Sequence, residues 1–179
     1  MKKVITAILL FTIIITAKSV VPLSKTKFEV INGNRSHTVN LKGREFVVVS
    51  VRERGSDGRF YAVDRDGEVW WSSAIASGAD DYKTPSGIYD VKRKKRFYMS
   101  KKYPSEDGVN NMDWSIFFTN QGHALHQGST GWLSHGCIHI DPKDIQTLYH
   151  WAYRGMPVII TRASYMPYAR KDLIKLHIK

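Results

Sequence analysis

The only cysteine of the chain, Cys137, stands in a stretch from His123 to His139 (HALHQGSTGWLSHGCIH) that also holds four of its seven histidines. A thiol becomes a nucleophile when a neighbour takes its proton or stabilises the thiolate, so a lone sulfur among imidazoles has the composition of a cysteine acyl-transfer site. Gly136 directly precedes the cysteine. A glycine there permits a sharp turn that aims the sulfur outward and presents successive backbone N–H groups to a developing oxyanion. His126 lies eleven residues upstream, across a gap containing Gly128, Thr130 and Gly131, and a turn there can bring imidazole and sulfur together. Zinc is the competing chemistry: His135, Cys137 and His139 alternate, would share one face of a strand, and with His126 make four possible ligands. The glycine before Cys137 interrupts the regular strand that this site needs. A small buried cysteine among satisfied core histidines is the plainest reading of all.

Such groups need elements that run into and out of the stretch. β-branched and aromatic runs bounded by turn residues predict short strands at 28–31, 45–52, 59–64, 68–76, 87–92, 114–119, 123–127, 137–140 and 157–161, with Asp66-Gly67 as a hairpin signal. Many short strands favour a sandwich or barrel. One helix stands out, with Asp141 as N-cap, Pro142 at its first position, apolar residues at Ile145, Leu148, Tyr149 and Ala152, and Gly155 closing it. A second, basic amphipathic helix is expected within 163–179, with Leu173, Leu176 and Ile178 inward. The polar connection 99–113 carries Pro104, Gly108 and Asn110-Asn111; its length marks it as a substrate lid.

The chain has 179 residues and 42% hydrophobic residues, enough for one ordinary domain. With a single cysteine it has no intrachain disulfide and no Cys-rich zinc module. Met1-Lys2-Lys3, an apolar run from Val4 to Ala17, and the small residues around Ala17-Lys18-Ser19 have the layout of a secretory signal. The run is about 14 residues, short of the roughly 20 that cross a bilayer. The expected division is therefore a signal at 1–19, a linker at 20–27 and one domain at 28–179, touching a membrane only through the N-terminal segment if that stays uncleaved. With 27 Lys+Arg against 16 Asp+Glu the net charge is +11, and removing 1–19 leaves +8. An exported cationic body meets wall polymers and membrane surfaces rather than nucleic acid. An unpaired thiol in an oxidising compartment is open to oxidation and asks for a function.

Ser134-His135-Gly136-Cys137-Ile138, preceded by Leu125-His126-Gln127-Gly128, by Thr84-Pro85-Ser86-Gly87-Ile88-Tyr89 and by Ser77-Gly78, resembles the L,D-transpeptidase catalytic domain, the YkuD-like family. The resemblance implies a mostly β, sandwich-like domain with one or two helices packed on it, exported to the periplasm or cell envelope, without a cofactor or metal. It implies action on peptidoglycan stem peptides. The cysteine attacks the carbonyl of an L-centre to D-centre bond in a tetrapeptide stem, D-alanine leaves, and the acyl group passes to an amine of a neighbouring stem. Carried over, Cys137 is the nucleophile and His126 the base and acid. The N–H groups of His135, Gly136 and Cys137 hold the oxyanion, and Ser134, His139 and Trp132 contact substrate. His139 stands where the family often carries arginine, so an imidazole with pH-dependent charge replaces a permanent, two-pronged cation.

Transfer to water instead of an amine would make an L,D-carboxypeptidase, and an idle site would leave a wall-binding protein. By themselves Thr84-Pro85-Ser86-Gly87 is a turn, His123 a strand residue, the tryptophans core or rim, and 92–96 a solvated basic strand end.

Overall fold

The computed structural model describes residues 18–51, 58–100 and 110–177. Among them the elements run β1 (Ser19–Pro22), β2 (Lys27–Asn32), β3 (Arg35–Asn40), β4 (Phe46–Ser50), β5 (Gly58–Val63), β6 (Val69–Ala76), a single 3-10 turn (Asp80–Tyr82), β7 (Gly87–Asp90), β8 (Arg93–Lys95), β9 (Met99–Ser100), β10 (Asn110–Asn111), β11 (Ser115–Phe117), β12 (Ala124–Gln127), β13 (Ile138–Ile140), α1 (Pro142–Trp151), β14 (Pro157–Thr161) and α2 (Met166–Lys175). A nine-stranded mixed sheet has the order β7-β14-β4-β5-β6-β13-β12-β11-β8. β4 with β14, and β12 with β13, are its parallel pairs.

The apolar run Phe46–Val49 shows no alternation because both of its faces are buried. Val47 and Val49 point into one core with Phe60, Ala62, Val158 and Ile160; Phe46 and Val48 point into a second with Tyr61, Val63 and Ile159. The sheet curls so that Ile75, Ile116, Leu125, Ile138 and Ile140 from its far limb close over the first core, which α1 completes with Ile145 and Leu148. α2 and the β1–β2 hairpin close the second with Ala169, Leu173, Val20 and Phe28. The sandwich expected from the strand pattern is thus largely one sheet folded over on itself. As the sequence requires, the Asp141 carboxylate caps α1 by accepting the Lys143 N–H at 3.0 Å.

Several expectations change. Residues 20–27 are not a free linker: Val20–Pro22 pair with β2, and the Lys25 ammonium reaches both oxygens of Asp172 in α2 at 2.8 and 2.6 Å. β3 escaped prediction because its mostly exposed sequence Arg-Ser-His-Thr-Val-Asn carries no apolar alternation; backbone pairing with β2 makes it a strand, with only Val39 packed on the second core. The basic stretch at 92–96 is an edge strand whose cations lie on rings, Arg93 over Phe117 and Lys94 over Tyr149 at 4.2 Å each and Arg96 over Trp114 at 3.1 Å. In α2 Leu173 is buried but Leu176 is exposed, because the inward stripe runs through Ala169 and Asp172 instead. Of the expected lid, Met99–Ser100 pair antiparallel with Asn110–Asn111, while 101–109 lie outside the described residues, as do Arg52, Ile178 and positions 1–17 of the expected signal. Among the described residues no helix is long and apolar enough to cross a membrane.

Candidate active site

Strand alternation sorts the two motifs. Leu125, Ile138 and Ile140 enter the first core, so His126 and His139, direct register partners across β12 and β13, occupy the opposite face. Cys137 comes one residue before β13 and packs beside Met112, Phe117 and Ala124. Cys137, His126, His135, His139 and Ser134 all line one cleft of about 360 Å³. The pairing that joins β12 to β13 therefore sets on one cleft the imidazole and sulfur that lie eleven residues apart in the chain.

His126 is only 2% exposed. Its Nδ1 lies 2.7 Å from the Gln127 carbonyl oxygen. A carbonyl can only accept, so Nδ1 carries the proton and Nε2 keeps its lone pair. The group orienting this imidazole is thus the backbone of its own neighbour, which no side-chain pattern announces. Burial drives the His126 pKa down to about 3, helped by the nearby His139 ring and opposed by the Gln127 bond. Burial pushes the Cys137 thiol up, although the Ala124 backbone N–H favours its thiolate. The resting pair is consequently neutral thiol and neutral imidazole.

The turn before Cys137 is held from several sides. Gly136 has φ +104°, a conformation that L side chains rarely adopt. Its N–H donates to Ser134 Oγ at 3.0 Å, and Ser134 Oγ donates to the Cys137 carbonyl at 2.6 Å. This corrects one expectation and extends another. The Gly136 N–H is engaged within the turn, not aimed at an oxyanion, and Ser134, 6% exposed, braces the turn as well as lining the cleft. The Thr84 hydroxyl accepts the Gly78 N–H and donates to the Gly136 carbonyl, each at 3.0 Å. Backbone bonds from Ser134 N–H to the Ser77 carbonyl and from Ala79 N–H to the Ser134 carbonyl, each 2.9 Å, dock the same turn. The Thr-Pro and Ser-Gly elements, bland as isolated turns, are therefore the mount of the cysteine loop. Because a trans peptide sets C=O and N–H on opposite sides, anchoring the Gly136 carbonyl on Thr84 directs the Cys137 N–H away from Thr84.

The remaining expected residues fall out unevenly. His135 lines the cleft with its ring edge against Tyr82 at 4.5 Å. His139 also lines it, with Nδ1 donating to the Ser129 carbonyl at 3.2 Å and its ring 4.9 Å from that of His126. Burial lowers its pKa, against the Ser129 and Trp132 carbonyls, which favour its cation. Gly128 is glycine by necessity, since a β-carbon there would come 2.7 Å from the His139 ring. Trp132 is 74% exposed and does not line the cleft, which its neighbour Leu133 does. Tyr98, Asn110 and Gln121 line the cleft without a chemical motif to announce them. Among the described residues no three His, Cys, Asp or Glu side chains are placed to hold a metal ion; the turned backbone at Gly136 separates the trio that alternates in sequence.

A family model for the L,D-transpeptidase catalytic domain matches residues 44–160. The chain belongs to that family, and so is a cysteine-dependent transpeptidase of peptidoglycan that works through an acyl-enzyme. Solved structures share its fold. Mycobacterium tuberculosis L,D-transpeptidase 1 is 18% identical with TM-score 0.52 over 78% of this chain and 73% of that one. Another M. tuberculosis L,D-transpeptidase is 20% identical with TM-score 0.54 over 81% and 76%. One from Stackebrandtia nassauensis is 23% identical with TM-score 0.54 over 66% and 57%. No curated protein sequence matches the chain.

Proposed function

We propose that Cys137 is the acyl-carrying nucleophile and His126 its base and acid, in an exported domain that joins peptidoglycan stems. The carrying observation is the juxtaposition in one cleft of the chain's single sulfur with an imidazole whose Nδ1–H is tied to the Gln127 carbonyl. As Sγ attacks the carbonyl carbon of the L-centre to D-centre bond, its proton passes to His126 Nε2. The Cys137 N–H meets the developing oxyanion. Collapse breaks the peptide bond, and His126 returns the proton to the departing D-alanine nitrogen. The acceptor amine then attacks the thioester, loses a proton to His126, and sulfur leaves as thiol once that proton is handed back.

Export is part of this reading. The basic start and apolar run of residues 1–17 address the chain to the envelope, and cleavage after Ser19 leaves Val20–Pro22 to pair with β2. His135 and His139 line the cleft beside the reacting pair and shape the space the stem occupies. The test is product analysis with a defined tetrapeptide. Wild-type protein should release D-alanine and yield cross-linked dimers, and Cys137→Ser should yield neither, since an alkoxide is far harder to form than a thiolate. Turnover of Cys137→Ser at the wild-type rate would refute the assignment, and D-alanine release without dimers would turn it into a carboxypeptidase.

A further inference from the structure

His123 takes no part in the acyl-transfer pair, yet it stands against the cysteine turn. Its ring lines the cleft and stacks on Phe118, with centroids 6.2 Å apart and planes at 30°. Its Nδ1 lies 2.9 Å from Thr119 Oγ1, and the same oxygen accepts the His123 backbone N–H at 3.0 Å. Ring and backbone are thus fastened to one hydroxyl. The far edge of the ring meets Gly136: a β-carbon at that position would stand 3.0 Å from Cδ2 and 3.1 Å from Nε2, with the Tyr82 carbonyl at 3.3 Å.

A glycine has the widest choice of backbone angles of any residue, so a functional turn built on one must be held by contacts from outside. Ser134 holds the Gly136 N–H and Thr84 its carbonyl; the His123 ring edge fills the space into which a side chain at Gly136 would project. We propose that His123, tethered by Thr119, is a positioning residue that holds the Gly136 turn and so keeps the Cys137 N–H aimed at the oxyanion. This rests on the acyl-transfer reading above. It gives a use to a histidine that the sequence presents as an ordinary strand residue.

Two reactions of the same sulfur separate this role from a merely structural one. Acylation passes through an oxyanion; alkylation by iodoacetamide does not. His123→Ala, Thr119→Val and Thr119→Ser are compared with wild type in the full chain, following single-turnover D-alanine release from a stem tetrapeptide and alkylation by intact mass. A well-aimed oxyanion donor is worth about 100- to 1000-fold, and partial misalignment should cost about 10- to 100-fold. His123→Ala and Thr119→Val should therefore lose acylation by that factor while alkylation stays within about twofold of wild type, and Thr119→Ser, which keeps the hydroxyl, should acylate normally. Acylation of His123→Ala at the wild-type rate would overturn the positioning role alone, as would parallel losses of acylation and alkylation. A wild-type protein that the tetrapeptide never acylates would overturn the acyl-transfer reading, and this role with it.

Discussion

The protonation state of the two reacting side chains follows from their burial. His126 is driven well below the usual imidazole range and Cys137 is pushed above the usual thiol range, so the site differs from one that stores a thiolate–imidazolium pair. Iodoacetamide labelling of Cys137 should accordingly accelerate about tenfold per pH unit from pH 6 to 8, following the small thiolate fraction. A plateau across that range would reveal a preformed ion pair and contradict the assignment. The same shift makes a stability statement. An imidazole near 6.5 in the unfolded chain and about 3 in the fold adds stability above pH 6.5 that is lost as pH falls toward 3, because only the unfolded state takes up the proton. Thermal unfolding should move to lower temperature between pH 6.5 and 4, and less so in His126→Gln; an equal decline in both would assign the effect to other groups. That Cys137 and His126 share a cleft was legible in the sequence because chemistry constrains residue type. The carbonyl orienting His126 was not, since every residue carries one.

Elements explain how so short a strand pair can hold a reaction centre. β13 has three residues, and the turn before it depends on a segment some fifty residues earlier in the chain. Thr84, 1% exposed, joins the Gly78 N–H to the Gly136 carbonyl. Thr84→Val leaves both buried groups without that partner, and a buried polar group without a partner costs about 1–3 kcal/mol. The variant should lose roughly that much stability and, through the misdirected Cys137 N–H, about 10- to 100-fold in kcat, measured by chemical denaturation and by D-alanine release. Thr84→Ser should recover both. Normal turnover in Thr84→Val would show that the cysteine turn needs no such anchor. A turn motif such as Thr-Pro-x-Gly says where the chain bends, and says nothing about which distant carbonyl its hydroxyl meets. The exposed β3 and the cation-on-ring β8 were hidden for the same reason: hydrophobic alternation reports burial, and these edge strands gain their stability from backbone pairing and ring faces.

At the scale of the molecule, a curled sheet carries a core on each face, and the N-terminal hairpin is part of the structure that closes the second one. Asp172 ties that closure together, accepting from Lys25 in the hairpin and from the Val69 N–H of β6 at 3.0 Å. Asp172→Asn keeps the shape but removes the charge from a side chain only 10% exposed. It should destabilise the fold by about 1–3 kcal/mol while leaving the activity of the folded fraction unchanged, since no residue of the second core lines the catalytic cleft. A loss of kcat without a loss of stability would mean that this side of the molecule takes part in catalysis. The β class, nine of the fourteen strands of the described residues and the capped helix α1 were readable from composition and spacing. The curl was not, because alternation shows that a face is buried and leaves open what buries it. The central claim concerns one atom, and intact-protein mass measured within a single turnover reads it most directly. Mixed with a stem tetrapeptide and quenched in acid, the wild-type chain should gain the mass of the substrate less D-alanine, located by peptide mapping on Cys137, and His126→Ala should gain it far more slowly. An adduct on any other residue, or full turnover with Cys137 never acylated, would contradict the account.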